Sequence, residues 1–366
     1  ECSRIRLCCD CSKRVVRPMK SQNRADAPKR SAKPTIVDVA RLAGVSFKTV
    51  SRVINDEKYV GEDLRKKVQA AIETLGFVPN IGARTIRGGR HMIIALLFPD
   101  RKSQYQLEIQ DAALSACRAA GYHMIAEPLP AHVLADRELI RKQMAGVKVD
   151  GYIILPPLGD NADLLAVLQE SGKPFSRLAP AEHAQVGAEV VVDDGDAVRS
   201  MVDHLWALGH RRIGFVIGTA SHSSARSRLT AFVDHVTRLS GTVPLDLILQ
   251  GDFTAETGRQ AAEKLLDLPE PPTAIFASND EMATGVISHA LGRGIRIPDD
   301  LSVCGFDDSP IARLIWPALT TVHQPLADMV QVAVQQLIKP RSPQRVTLPL
   351  TLVQRQSTGP VPVSRG

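Results

Sequence analysis

Short apolar strands alternate with amphipathic helices from His91 onward, and this pattern constrains the fold of the 366-residue chain more than any other. Parallel neighbouring strands need a long crossover, usually a helix, so the alternation predicts doubly wound parallel sheets. The predicted strands are 92–98, 122–127, 151–155, 189–192, 212–217, 247–250, 274–277 and 301–306, and the predicted helices are 104–120, 138–145, 197–208, 225–239, 254–266 and 280–293. Nucleotide enzymes share this α/β class, so the pattern alone leaves the function open.

A different pattern occupies residues 35–55, where two short amphipathic helices flank a tight turn at Gly44. Thr35 and Asp38 fit a capping box at the start of the first helix, and Ser46 can cap the second. The apolar faces are Ile36, Val39, Ala40 and Ala43 in the first helix, Val50, Val53 and Ile54 in the second, and Leu64, Val68, Ile72 and Leu75 in a third helix over 62–75. These spacings predict a small helix-turn-helix head.

A shorter helix is predicted from Asn80 to Arg87, between Pro79 and a pair of glycines. A helix of this length is unstable alone in water, so it forms only where something else holds it. We therefore expect residues 80–90 to be a conditional hinge helix and linker.

Charge is distributed unevenly along the chain: residues 1–90 carry a net +11 and residues 91–366 a net −5. A basic end on a mildly acidic body suits a polyanionic partner at one end only. The sequence contains no apolar run long enough to cross a membrane, and no secretory signal, so we expect a cytoplasmic protein without a membrane partner.

Four of the six cysteines lie in the first eleven residues, at Cys2, Cys8, Cys9 and Cys11. No second ligand pair follows at a zinc-binding distance, so we predict no metal and no cofactor. The composition of residues 1–33 predicts a disordered basic extension, and residues 1–18, before Met19, are interpreted as an upstream extension. Cys117 and Cys304 are expected to be small buried residues.

The segment from Thr35 to Asn55 resembles the lactose-repressor (LacI/GalR) family of bacterial transcription regulators, and the resemblance extends to about Thr358. It implies a helix-turn-helix domain at 34–79, the hinge at 80–90, a two-lobed body at 91–358 similar to periplasmic sugar-binding proteins, and a tail at 359–366. Lobe one would comprise about 91–190 and 325–340, and lobe two about 191–322 and a last strand near 344–355. Such chains form homodimers.

The same resemblance assigns DNA contacts. Phe47, Lys48 and Arg52 fall on the base-reading positions, where Arg52 suits a bidentate contact to guanine and Lys48 could take a phosphate instead. In the family, paired hinge helices enter the minor groove of a palindromic operator, where Ile86 would wedge between base steps although leucine is usual there. The remaining implied DNA contacts are Thr35, Ser46, Thr49, Ser51, Asn55, Asn80, Arg84 and Arg87.

The implied effector contacts lie where family motifs reach the cleft between the lobes: Tyr105, Arg228, Phe253, Asn279, Asp280, Asp307 and Gln324. Asp280 could equally cap its helix. Gln106 replaces the second member of an aromatic pair that is common in the family. Carboxylates, an arginine and an aromatic ring suit a neutral polyol, so a sugar is the expected ligand.

We therefore predict a cytoplasmic, nucleoid-associated homodimer that represses a carbohydrate-use operon and responds to a small ligand. The alternative is a periplasmic-type sugar-binding protein without a regulatory role, which the basic head disfavours. An α/β enzyme is a third possibility, but the sequence has no Walker loop, no Gly-x-Ser-x-Gly elbow and no zinc-binding histidine pair. We expect no enzymatic activity.

Overall fold

The computed structural model describes residues 34–54, 60–77, 91–100, 103–146, 148–181, 185–339 and 342–362. The chain divides into two compact units, residues 1–80 and 81–366, which are a helical head and an α/β body. The predicted extension at 1–33 and the hinge helix at 80–87 lie outside the described residues, as does the end of the tail from 363.

The described residues of the head form three helices, which are α1 (Ile36–Ala43), α2 (Phe47–Ile54) and α3 (Glu62–Leu75). The predicted capping box is present, because the Thr35 amide donates to Asp38 Oδ2 at 2.9 Å and the Asp38 amide donates to Thr35 Oγ1 at 3.4 Å. Gly44 ends α1 with a φ of 65°, a left-handed conformation in which glycine avoids the strain of a Cβ atom.

The head core forms where the apolar faces of the three helices meet. Its fully or nearly buried members are Val39, Ala40, Val50, Val53, Val68, Ala71 and Phe77. The prediction for α3 was wrong at one position, since Leu64 is 41% exposed and Ala71 is buried instead. Leu64 lies one turn before Val68 on the same face of α3, at the N-terminal end of the helix, and is not among the residues of the head core.

The body alternates strands and helices along the chain. Its strands are β1 (Ile93–Pro99), β2 (His123–Leu129), β3 (Gly151–Ile154), β4 (Phe175–Leu178), β5 (Ala188–Val192), β6 (Ile213–Ile217), β7 (Ile248–Gln250), β8 (Ala274–Ala277), β9 (Ser302–Cys304), β10 (Thr321–His323), β11 (Arg345–Leu348) and β12 (Thr351–Val353). Its helices are α4 (Gln104–Ala119), α5 (Ala131–Leu134), α6 (Arg137–Ala145), α7 (Ala162–Glu170), α8 (Asp194–Ala207), α9 (Ser223–Ser240), α10 (Ala255–Leu266), α11 (Asp280–Gly292), α12 (Pro310–Leu314) and α13 (Leu326–Ile338). β4, β10, α5, α7 and α12 were not predicted from the sequence.

Lobe one is a parallel sheet in the order β11-β5-β4-β3-β1-β2, covered by helices on both faces. One face packs against α4 and α13, through residues such as Ile109 and Val330. The other packs against α6 and α7, through residues such as Ile140 and Leu164. The continuous apolar runs of the central strands are explained by this burial on both sides.

Lobe two is a parallel sheet in the order β7-β6-β8-β9. Helices α10 and α11 cover one face and α8 and α9 cover the other. Phe215 lies at the centre of the second face, with its ring stacked on that of Phe232 and edge-on to that of Phe276. The prediction of doubly wound parallel sheets is therefore confirmed for both lobes.

The last part of the chain differs from the prediction of one lobe-two strand at 344–355. β11 joins the lobe-one sheet, where Arg345 pairs with Glu189, whereas β12 pairs antiparallel with β10 in a separate ribbon. Pro349 lies between the two strands and has no amide hydrogen to donate, so one continuous strand cannot form there. Among the helices of the described residues, none is both long enough and apolar enough to cross a bilayer.

Candidate functional site

One face of α2 presents the polar and aromatic side chains of the head. Val50 and Val53 are buried against α1 and α3, so Phe47, Lys48 and Arg52 lie on the exposed side. Ser46 starts the helix, since its hydroxyl oxygen accepts from the Thr49 amide at 3.1 Å, as predicted. Thr35 and Ser46 are exposed, and Thr49 and Ser51 are half-buried.

The other predicted DNA contacts cannot be placed in the same way. Asn55, Asn80, Arg84, Ile86 and Arg87 lie outside the described residues. Their assignment stays a prediction.

The body contains a cavity of about 170 Å³ between its two lobes. The cavity lies at the carboxyl ends of strands from both sheets, the usual place for a ligand in open parallel α/β sheets. Its walls are Pro99, Ser103, Tyr105, Gln106, Leu155, Pro156, Ala179, Val192, Asp194, His222, Ser224, Arg228, Phe253, Thr254, Asn279, Glu281, Asp307 and Gln324. Six of the seven predicted effector residues therefore line one cavity.

Three wall residues have a positive φ although none is glycine. Ala179 (44°), Phe253 (70°) and Asp307 (113°) each follow the end of a strand. Side chains with a Cβ atom rarely adopt such angles, and strained backbone of this kind is concentrated at ligand sites.

Arg228 is the central cation of the cavity wall. Its Nε donates to Asp194 Oδ1 at 3.0 Å, and its Nη1 donates to the Ser278 carbonyl at 2.6 Å. The guanidinium lies 3.5 Å above the centre of the Phe306 ring, and the residue is 5% exposed. Its position is fixed on three sides, so it presents a preorganised donor to the cavity.

Asp307 lies beside this cation, with 3.8 Å between its Oδ1 and Arg228 Nη1, and accepts from Gln324 Nε2 at 2.6 Å. Burial raises the pKa of the Asp307 carboxyl well above its usual range, although the Arg228 charge opposes the shift. Burial also raises the pKa of the Tyr105 phenol, so that group remains a neutral donor and acceptor.

The start of α4 contributes part of the lobe-one wall, through Ser103, Tyr105 and Gln106. The Ser103 hydroxyl oxygen accepts from the Gln106 amide at 3.2 Å and caps the helix. The Gln106 side chain is 6% exposed, and its Oε1 has no hydrogen-bond partner within the described part of the chain. A buried acceptor without a partner is costly, and Gln106 belongs to the cavity wall.

Phe253 forms the aromatic part of the wall. Its ring lies so close to Gly218 that a Cβ atom there would be 2.0 Å from the ring, so only glycine allows this approach. Asn279 holds the Phe253 backbone, donating from Nδ2 to its carbonyl at 3.1 Å, while Asn279 Oδ1 accepts from the Met282 amide and caps α11. Asn279 is therefore partly committed to local structure.

Asp280 is the one predicted effector residue outside the cavity wall, and its assignment as an effector contact stays a prediction. It does not line the cavity, is 1% exposed, and its carboxylate accepts from the Ser309 amide at 2.8 Å and from the Thr321 hydroxyl at 2.6 Å. Asn279, not Asp280, is the N-cap of α11. At the first helical position, its side chain faces the core behind the cavity.

The head and the body each match a known protein family. Residues 35–80 match the family described as bacterial regulatory proteins, lacI family, and residues 202–358 match the periplasmic binding protein-like domain. The chain is 33% identical over 339 residues to the HTH-type transcriptional regulator DegA of Bacillus subtilis (strain 168), with 90% of this chain and 99% of that protein covered. The chain belongs to the LacI family.

Solved structures agree with this LacI-family assignment. The lac repressor dimer bound to operator and the anti-inducer ONPF matches with a TM-score of 0.74 and 30% identity, over 90% of this chain and 100% of that chain. A complex of the transcriptional regulator CelR with cellobiose matches with a TM-score of 0.66 and 29% identity, over 88% and 99%. As a LacI-family member, the chain is a DNA-binding transcriptional regulator.

Sequence reasoning missed three titratable residues of this LacI-family cavity, which are Asp194, His222 and Glu281. Asp194 opens α8 directly after β5, and His222 is the N-cap of α9. Each lies at the start of a helix, a position that could have identified it, whereas Asp307 was predicted from the family resemblance. Across the described residues, no group of histidine, cysteine, aspartate and glutamate side chains is arranged to hold a metal ion.

Proposed function

We propose that the chain is a sugar-responsive repressor which binds a palindromic operator as a homodimer. The observation that carries this proposal is the pairing, in one chain, of a helix-turn-helix head with an interlobe cavity whose polar groups are held in place. Relatives with this architecture include the lac repressor bound to operator and CelR bound to cellobiose. These relatives are regulators, so we infer that this chain acts by binding in the bacterial cytoplasm and nucleoid, without catalysis.

The head would read base edges through the exposed face of α2. Arg52 is the strongest candidate for a base contact, because a guanidinium can bond both guanine acceptors at once. Thr35, Ser46 and Thr49 lie at helix starts, where amide and hydroxyl donors suit phosphates. Arg52→Ala is expected to remove the preference for the selected site by about 1–3 kcal/mol while nonspecific binding survives. Anisotropy titrations measure the affinity for the selected duplex and for a scrambled duplex. An equal loss of affinity for the two duplexes would refute base reading by Arg52.

The cavity would bind a neutral polyol. Arg228, Asp194 and Asp307 alternate donors and acceptors in a fixed arrangement, Gln106 adds an acceptor from lobe one, and Phe253 offers an apolar face. Sugar rings have this mixture of hydroxyl edges and apolar faces. We therefore propose Tyr105, Arg228, Phe253, Asn279, Asp307 and Gln324, from the implied set, and Gln106 in addition, as the effector contacts.

A gel-shift experiment tests the function directly. Operators are first selected from random duplex DNA with the full chain, and binding is then measured against a panel of sugars that includes cellobiose and ribose. A sugar that changes the operator affinity supports the proposal. Failure to select any palindrome, or selected sites that no sugar in the panel affects, would contradict it.

A further inference from the structure

Glu281 and Asp160 each accept a hydrogen bond that joins the two lobes beside the cavity, and the donor of each bond lies in the first turn of a helix in the opposite lobe. Glu281 of lobe two accepts from the Gln104 amide of α4 at 2.9 Å, through Oε1. Asp160 of lobe one accepts from the Ser223 hydroxyl of α9 at 2.6 Å, through Oδ2. The two contacts are thus reciprocal across the cleft.

Helix physics favours both contacts. The first amides of a helix have no acceptor within the helix, and the aligned peptide dipoles place partial positive charge there. Gln104 is the first residue of α4 and Ser223 the first of α9, helices of 16 and 18 residues. The helix itself leaves the Gln104 amide without an acceptor, and Glu281 supplies one. The Ser103 hydroxyl accepts from the Gln106 amide instead.

Asp160 is held in place before it reaches the other lobe. Its Oδ1 accepts from the Ala181 amide at 3.1 Å, after the end of β4. The preceding residue is fixed as well, since fully buried Arg177 donates from Nη1 to the Gly159 carbonyl at 2.8 Å. Arg177 also pairs with buried Glu189 on β5, which anchors it within the lobe-one sheet. The turn that carries Asp160 is therefore rigid with respect to lobe one.

We propose that Asp160 and Glu281 are positioning residues that together set the closure of the two lobes around the cavity. Both contacts flank it, because Glu281, Ser103 and Ser224 belong to its wall. Opening the cleft breaks both bonds, so each carboxylate stabilises the same closed arrangement. The inference rests on the proposed function only in taking that closure as the state that encloses the effector.

Hydroxyl-radical footprinting of the full chain tests the proposal without DNA or sugar. Tyr105 and Phe253 line the cavity and touch neither bond, so their oxidation rates report cleft opening. Glu281→Gln and Asp160→Asn are each expected to raise the ratio of open to closed lobes, and with it both oxidation rates, about fivefold, because a partly exposed charge-assisted hydrogen bond is replaced by a weaker bond to a neutral amide.

Matched controls separate closure from general loosening. Glu256 is the second residue of α10 as Glu281 is of α11, but its carboxylate pairs with Arg259 inside lobe two, so Glu256→Gln should leave both rates unchanged. Oxidation of Phe215, in the lobe-two core, should stay at the wild-type rate in all variants. Asp160→Asn combined with Ser223→Ala should give the same oxidation rates as Ser223→Ala alone, since both substitutions act on the same interlobe bond.

Two results would overturn the proposal. One is wild-type oxidation of Tyr105 and Phe253 in both carboxylate variants. The other is a similar increase of the Tyr105 and Phe253 oxidation rates in Glu256→Gln, or an increased oxidation rate of Phe215 in the carboxylate variants. Either increase would indicate general loosening of lobe two. Neither result bears on whether a sugar controls operator binding, so failure of this inference and failure of the proposed function are distinguishable.

Discussion

Replacing Arg228 with methionine should destabilise lobe two as well as remove a ligand contact. The side chain of Arg228 is 6% exposed and that of its partner Asp194 is 11% exposed, so the ion pair is almost fully withdrawn from water. Methionine keeps the apolar contact with Phe306 but leaves the Asp194 carboxylate buried without its cation, and the Ser278 carbonyl without its donor.

The expected cost follows from this burial. Removing one partner of a buried ion pair costs about 3–5 kcal/mol, most of it from the charge left behind. Asp194→Asn in the same chain neutralises that charge, so the double variant should recover about 2 kcal/mol relative to Arg228→Met alone. The matched control is Arg259→Met, which breaks exposed pairs with Glu256 and Glu263 and should change little.

Urea unfolding followed by tryptophan fluorescence measures these differences. The two tryptophans of the chain, Trp206 and Trp316, both belong to lobe two, so the signal reports the lobe that contains the substitution. A loss below about 1 kcal/mol for Arg228→Met, or strictly additive effects of the two substitutions, would refute the reasoning. The contribution of Arg228 to stability must be measured in this way before a loss of sugar binding in Arg228→Met is assigned to a direct contact with the sugar.

Three further predictions concern other parts of the body. Gly218→Ala should displace the Phe253 ring into the cavity and weaken sugar binding at least tenfold by calorimetry, with an unchanged affinity as the contrary result. Burial lowers the pKa of His210, so the neutral side chain stabilises the fold above the unfolded-state pKa, and this stability is lost as the pH falls through the folded-state pKa. The wild-type free energy of unfolding should therefore decrease between about pH 7.5 and 5.5, and His210→Gln should make this decrease smaller. An identical decrease in the variant would contradict the prediction. Burial raises the pKa of the Cys117 thiol to about 11, so peptide mass spectrometry should find it unmodified by iodoacetamide at about pH 8 until urea is added, and rapid native modification would be the opposing result.

The sequence allowed the elements near strong local signals to be predicted. Thr35 with Asp38, and Ser46 with Thr49, cap helices by bonds within one turn, so the first helices of the head follow from local chemistry. Polar residues after strand ends, such as Asp307, converge on one cavity because parallel strands place their carboxyl ends together.

Features that depend on distant partners could not be predicted. β4 was missed because Arg177 makes its short run look polar, and only the buried Glu189 of β5 explains a charge there. Asp280 and Glu281 are adjacent, but Asp280 is buried by Ser309 and Thr321, whereas Glu281 reaches lobe one. Which of two neighbours faces a cavity depends on how the helix packs, and no local pattern contains that information.

The most direct test of the account is the coupling between the cleft and the operator. Once a sugar and an operator are in hand, calorimetry gives the sugar Kd with and without operator, and anisotropy gives the operator Kd with and without sugar. Thermodynamic linkage requires the two ratios to be equal, and allosteric proteins commonly show factors of about 5–150. We predict equal ratios in this range; a sugar that binds the cleft with the same Kd in the presence and absence of operator would contradict the account.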